Sequence, residues 1–134
     1  MDISYQDRVD ITELIATHGH LVDAGELDRS NALFTPDATF DLSDFGQSES
    51  AGLAEVAATT RALGDAHPVG HHVTNTVLTP IGERRVRAVS KGIGVMADGS
   101  CGSVTYTDTL TRTAAGWRIS RRAIRAHRRP LGGG

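Results

Sequence analysis

Apolar residues recur at helical spacing in the first part of the chain and at strand spacing in the second. Between residues 5 and 24, Ile11, Leu14, Ile15, His18, Leu21 and Val22 form one stripe at three- and four-residue intervals, which predicts a long amphipathic helix. His18 lies inside that stripe and is expected to face inward. Gly25 suits the left-handed position that ends a helix. Asp28 is placed to cap a short second helix through Asn31, Leu33 and Phe34, which Thr35-Pro36-Asp37 then breaks. Residues 38–42 alternate as a short strand, and residues 43–50 are polar and read as loop. The alanine-rich stretch 51–63 predicts a third helix, and residues 64–70, with Pro68, a turn.

From there the period changes to two. Residues 69–79 read as a strand turned by Pro80-Ile81-Gly82. Residues 86–97 read as a second, in which Gly92 and Gly94 point to a bulge or a close approach. Asp98-Gly99 is a hairpin signal. Residues 103–113 and 117–127 are two further strands joined at Ala114-Ala115-Gly116, and residues 128–134 are expected to be a disordered basic and glycine tail. Helices followed by an antiparallel meander define an α+β fold in one domain, residues 1–127. The expected form is a cone: a curved antiparallel sheet wrapped around the long N-terminal helix, with two further short helices and a pocket at the open end.

The stretch that carries the chemistry is Gly70-His71-His72-Val73-Thr74-Asn75. Alternation along a strand puts His71, Val73, Asn75 and Val77 on one face and His72, Thr74, Thr76 and Leu78 on the other. One histidine therefore looks into the protein and its neighbour away. A histidine can take and return a proton near neutral pH, and a carboxylate on one ring nitrogen fixes its tautomer and stabilises the imidazolium.

Composition narrows the field. A length of 134 residues fits one domain with one core and a pocket, and the formal net charge of -2 argues against general nucleic-acid or membrane-surface binding. The single cysteine, Cys101, excludes an intramolecular disulfide and a cysteine zinc site. Residues 1–10 are charged rather than apolar, no run reaches the length of a membrane span, and the expected location is the cytoplasm. His67, His71 and His72 do not make a convincing metal set, because adjacent strand residues diverge and no nearby carboxylate completes one. Gly92-Ile93-Gly94-Val95-Met96-Ala97 mimics a dinucleotide fingerprint but precedes a hairpin instead of a helix. His20, His67 and His127 are expected at the surface, and the arginines from Arg121 to Arg129 read as a solvated strand face and tail.

Leu21-Val22-Asp23-Ala24-Gly25-Glu26-Leu27-Asp28, followed by Leu33-Phe34-Thr35-Pro36-Asp37-Ala38, resembles the opening of SnoaL-like proteins of the nuclear-transport-factor-2-like superfamily. His71-His72-Val73-Thr74-Asn75 resembles that superfamily's strand with a catalytic histidine. Tyr106-Thr107-Asp108 and Gly116-Trp117-Arg118-Ile119-Ser120-Arg121-Arg122 resemble its last two strands. The most similar branch holds scytalone dehydratase and hexachlorocyclohexane dehydrochlorinase. The resemblance implies His71 as general base, Asp23 on the first helix as its orienting partner, and Arg122 on the last strand as a further polar group. The dehydrochlorinase's lysine falls on His18, where many members carry tyrosine, so lysine-assisted halide removal is not implied.

The implied activity is that of a cofactor-independent enzyme: a lyase or isomerase of dehydratase or cyclase type acting on a small, partly apolar, polyketide-like metabolite. His18 and Arg122 would assist as polar groups, Asn75, Tyr106 and Asp108 would contact substrate, and no metal or organic cofactor is needed. Asp23 has two other readings, a solvent-facing helix end or a cap on the next turn. Tyr106 and Asp108 share one strand face, either the pocket wall or the outside. The alternative function is a non-catalytic module of the same fold that binds a small molecule or serves dimerisation. A homodimer through the sheet face is expected, since threonines and β-branched residues stand on both faces of the late strands.

Overall fold

The computed structural model of the chain describes residues 3–133. Met1 and Asp2, which open the charged N-terminal stretch, and Gly134, the end of the expected tail, lie outside the described residues. Among the described residues three α-helices, α1 (Tyr5–Asp23), α2 (Leu27–Asn31) and α3 (Leu53–Leu63), accompany six strands: β1 (Phe34–Asp41), β2 (Ala51–Gly52), β3 (Gly70–Gly82), β4 (Arg85–Val95), β5 (Cys101–Thr113) and β6 (Gly116–His127). The strands form one sheet in the order β2-β1-β6-β5-β4-β3. Every neighbouring pair is antiparallel except β1 with β6. This is the expected α+β architecture, with α1 packed against both β3 and β6 so that the sheet curves round it.

The apolar stripe on α1 is buried as its spacing requires. Ile11 and Ile15 are sealed against Phe34, Phe40, Val86, Ala88, Leu110, Trp117 and Ile119. Ser4 and Asp7 close the start of the helix in a capping box. Asp7 also accepts from the Trp117 indole at 3.0 Å and the Arg112 guanidinium at 2.6 Å, tying the helix start to the last hairpin. At the other end Gly25 adopts φ 73°, and the amides of Gly25 and Glu26 close back on the carbonyls of Val22 and Leu21. The last turn of α1, which carries Asp23, is thereby fixed.

Several boundaries and one strand register differ from the sequence reading. The second helix stops at Asn31 and Phe34 opens a strand, because Pro36 falls where the β1–β6 register shifts and no ladder bond is needed. Ala51 and Gly52 pair with β1 before α3 begins. β3 runs through Pro80 to Gly82, and the turn falls at Glu83 and Arg84. Within β3 the register shifts between Thr74 and Val77, and Asn75 sits at φ 56°. This bulge inserts an unpaired residue and inverts the alternation beyond it. Asn75 and Val77, expected to share the face of His71, are therefore exposed on the outside. The tail begins with an anchored residue: Arg128 donates to the carboxylate and the carbonyl of Asp44.

Candidate active site

A cavity of about 380 Å³ opens between α1, α3 and the concave face of the sheet. Its walls are mostly apolar, with Phe34, Phe40, Leu42, Leu53, Val56 and Ile124 among them. Its titratable groups gather towards the end of α1 and the facing strands: His18, His67, His71, Tyr106 and Arg122, while Ser30, Asn31, Gln47, Thr59 and Thr60 add neutral polar groups elsewhere in the wall. That composition suits a small, largely apolar molecule whose reacting end meets the titratable groups.

His71 and Asp23 meet although 48 residues separate them. The Nδ1 of His71 lies 2.6 Å from Oδ1 of Asp23, and the His71 backbone N–H donates to Oδ2 at 3.0 Å. The carboxylate thus grips the ring and its own backbone together, and its side chain is only 28% exposed. It accepts, so Nδ1 carries the proton and Nε2 has the free lone pair of a base. Gly19 makes the approach feasible: a Cβ there would stand 3.0 Å from the His71 carbonyl oxygen. A side chain there would require α1 or the β3 backbone to give by a few tenths of an ångström.

Arg122 is buried at the centre of the sheet and satisfied on three sides. Its Nε and Nη2 donate to Asp108 at 2.8 and 3.0 Å, a two-pronged pair between adjacent strands. Its Nη1 donates to Nδ1 of His18 at 3.1 Å. The Tyr106 ring lies against the guanidinium, 4.4 Å from centroid to carbon. Burial works against the charge, but the Asp108 carboxylate outweighs it and holds the Arg122 pKa above its usual value. Burial, then the Arg122 cation, then His71 push the His18 pKa well below the usual imidazole range. His18 is therefore neutral in the folded protein at neutral pH.

His18, His71, Asp23, Arg122 and Tyr106 are brought together as the sequence reading expected. Asn75 is not: it sits on the outer bulge, away from the cavity. Asp108 is fully buried and does not line the cavity, so it holds Arg122 and is not a substrate contact. His67, read as a surface residue, is half-buried in the cavity wall, its ring centroid 5.0 Å from that of His71. Its Nδ1 lies 3.2 Å from the Pro68 carbonyl. Burial, then the nearby His71, lower its pKa. The available signal was Pro68, which confines His67 to extended backbone just before β3. Among the described residues no three metal-ligating side chains converge on one point, and no helix is long and apolar enough to cross a membrane.

A family model described as SnoaL-like domain matches residues 4–123. A comparison with curated protein sequences finds no match. Among solved structures, the chain is similar to an NTF2-like protein with a cystatin-like fold from Novosphingobium aromaticivorans, at 29% identity and TM-score 0.75, over 96% of this chain and 84% of that one. It is similar at 27% identity and TM-score 0.76, over 96% and 94% of the two chains, to a protein of the same organism provisionally named as an aromatic ring hydroxylase. A third, provisionally named as a scytalone dehydratase, also from Novosphingobium aromaticivorans, is 19% identical with TM-score 0.72 over 92% of each chain, and shows the shared fold.

Proposed function

The chain belongs to the SnoaL-like domain family, and from that premise we propose that it is a cofactor-independent lyase or isomerase of dehydratase or cyclase type. Its substrate is a small, partly apolar, polyketide-like metabolite. The observation that carries this reading is the His71–Asp23 bond at the wall of an apolar cavity. Asp23 keeps the Nδ1 proton in place, so His71 Nε2 takes a proton from a carbon acid and returns it elsewhere. In an isomerisation the proton goes back to a different carbon. In a dehydration it leaves with the departing hydroxyl as water, and no other reactant is consumed. Arg122 supplies positive charge beside the reacting end of the cavity.

A non-catalytic binder would need neither an oriented base nor a carboxylate spent on orienting it. The open cavity and the side-chain bond to His71 support the enzyme over that alternative. The test is proton exchange. A panel of aromatic and cyclic ketones with acidic α-hydrogens is incubated in deuterated buffer and followed by NMR. Exchange faster with wild type than with His71→Ala is expected for at least one member. Equal rates across the panel would overturn the assignment.

A further inference from the structure

Two of the three histidines that line the cavity hold their free ring nitrogens in opposite states. His71 meets an acceptor at Nδ1, so its Nε2 is a lone pair. His18 meets a donor at Nδ1: the partner is Arg122, whose guanidinium has no lone pair to offer. Only the tautomer with the proton on Nε2 can accept that bond. Among the described residues the His18 Nε2 has no protein partner, yet it is not among the sealed unpaired atoms, and His18 lines the cavity. Its N–H therefore faces space that a ligand would fill.

We propose that His18 is a fixed, neutral N–H donor for an oxygen that becomes negative during the reaction, and that the substrates are accordingly enolisable carbonyl compounds. This rests on the proton-transfer reading above and adds the group that receives the electrons. When His71 Nε2 removes a proton from the carbon next to the carbonyl, the C–H electron pair forms the new C=C bond. The carbonyl π pair moves to oxygen, where the His18 N–H meets it without transferring its proton. The reverse flow breaks the C=C bond to a new C–H bond or expels a β-hydroxyl as water, with the proton returned from His71.

The arrangement runs back through the sheet. Asp108 holds Arg122 by two bonds, Arg122 fixes the His18 ring, and Phe34 packs edge-on against it at 5.3 Å. The charged and titratable groups facing His18 are Arg122 and His71. A cation on either discourages a second one on His18, which keeps it a donor and not an acid. A neutral imidazole also avoids the cost of a free buried charge in the apolar cavity.

The probe is 4-nitrophenol, whose phenolate absorbs in the visible and stands in for an enolate. Titration with wild-type protein is expected to lower the pKa of the bound phenol by about one, a tenfold preference for the phenolate. The preference should persist in His71→Ala, which removes the imidazole bonded to Asp23. It should survive largely in His18→Gln, whose amide donates from a similar reach, and vanish in His18→Leu. No preference in the wild type, absence of binding included, or a full preference in His18→Leu, would overturn the proposal. An independent readout needs no variant: in protein with nitrogen-15 histidine, His18 should show a protonated Nε2 and bare Nδ1 from pH 6 to 8. A protonated Nδ1 or an imidazolium in that range would overturn it. Neither measurement depends on turnover, so failure here is distinguishable from failure of the His71 assignment.

Discussion

His71 Nδ1 stands 2.6 Å from Asp23 Oδ1, while the other oxygen of the same carboxylate binds the His71 backbone N–H. The second contact fixes the carboxylate whatever the ring does, so removing the ring leaves the backbone link in place. His71→Ala is expected to abolish exchange of the α-proton with its melting behaviour little changed. Asp23→Asn keeps an oxygen for the backbone N–H but cannot stabilise the imidazolium, and should cost on the order of 10² to 10⁴ in rate. Turnover by His71→Ala at the wild-type rate would remove the residue from the role.

Asp108 and Arg122 are fully buried partners, so truncating one strands the other's charge. Asp108→Ala should cost about 3–5 kcal/mol of unfolding free energy, more than most single substitutions. Arg122→Met with Asp108→Leu should recover much of that loss, because an apolar pair of similar volume leaves no charge behind. Denaturant unfolding of the three proteins decides it. A loss under about 1 kcal/mol in Asp108→Ala, the size of an exposed pair, would show the carboxylate to be dispensable.

How far these contacts were legible follows from the periods that carry them. The stripe of Ile11, Leu14, Ile15 and His18 survives in the fold because a helix with that spacing has only one face to bury. Gly25 was legible because few residues adopt its backbone angle. The pairing of His71 with Asp23 came from the family resemblance, and Gly19, which lets the helix approach, gave no signal by itself. The bulge at Asn75 was invisible: one extra residue leaves composition unchanged while turning every later side chain of β3 over. Asp108 misled for a related reason. Alternation puts it on the face of Tyr106 without telling which face that is, and only the cross-strand register shows Arg122 directly opposite, consuming both its oxygens.

Stability should depend on pH in two ranges, one set mainly by His18 and one to which Asp7 contributes, with the same sign. The folded His18 pKa lies well below the unfolded value of about 6.5, so the unfolded chain binds more protons in the window below that value. Stability is then complete above about pH 6.5 and falls as the pH drops beneath it. His18→Gln should flatten that slope. Asp7 is lowered to about 2, first by the Trp117 hydrogen bond, so its contribution is present above its ordinary value of 3.8 and is lost as the pH falls through about 2. Asp7→Asn should make this acid limb shallower, the remainder coming from Asp41, Asp44 and Asp98, whose carboxyls are also held below their ordinary range, and should leave the His18 limb unchanged. Chemical unfolding at pH steps from 7 to 2 measures both, and a His18→Gln slope equal to wild type would count against a buried neutral His18.

The outer face of the sheet carries an apolar row. Val77 pairs with Val89, Val89 with Thr107, and Thr107 with Ala123, so four strands present small and β-branched side chains side by side. Val77 is 63% exposed and Ile93 40%. Self-association through this face is expected, by contact of the same patch on two copies. Sedimentation at micromolar concentration should give a dimer mass, and Val89→Lys, with both neighbours in the row apolar or hydroxylated, should shift it to monomer. A monomeric wild type would refute the contact.

Gly92 lies beneath the Tyr106 ring, and the ring depends on it. A Cβ at residue 92 would stand 2.3 Å from Tyr106 Cε2 and 2.8 Å from Val104 Cγ2, closer than atoms can pack. Tyr106 itself lies against Arg122, so it cannot absorb the clash without uncovering the guanidinium. Gly92→Ala should therefore cost about 1–3 kcal/mol through overpacking. It should also alter the cavity by swinging the ring from its place. Adding Tyr106→Leu removes the obstructed ring, and the double variant should regain part of the stability lost by Gly92→Ala alone. Thermal unfolding of the two variants beside Tyr106→Leu completes the cycle. If Gly92→Ala and Tyr106→Leu lower stability additively, the ring is not held by this glycine.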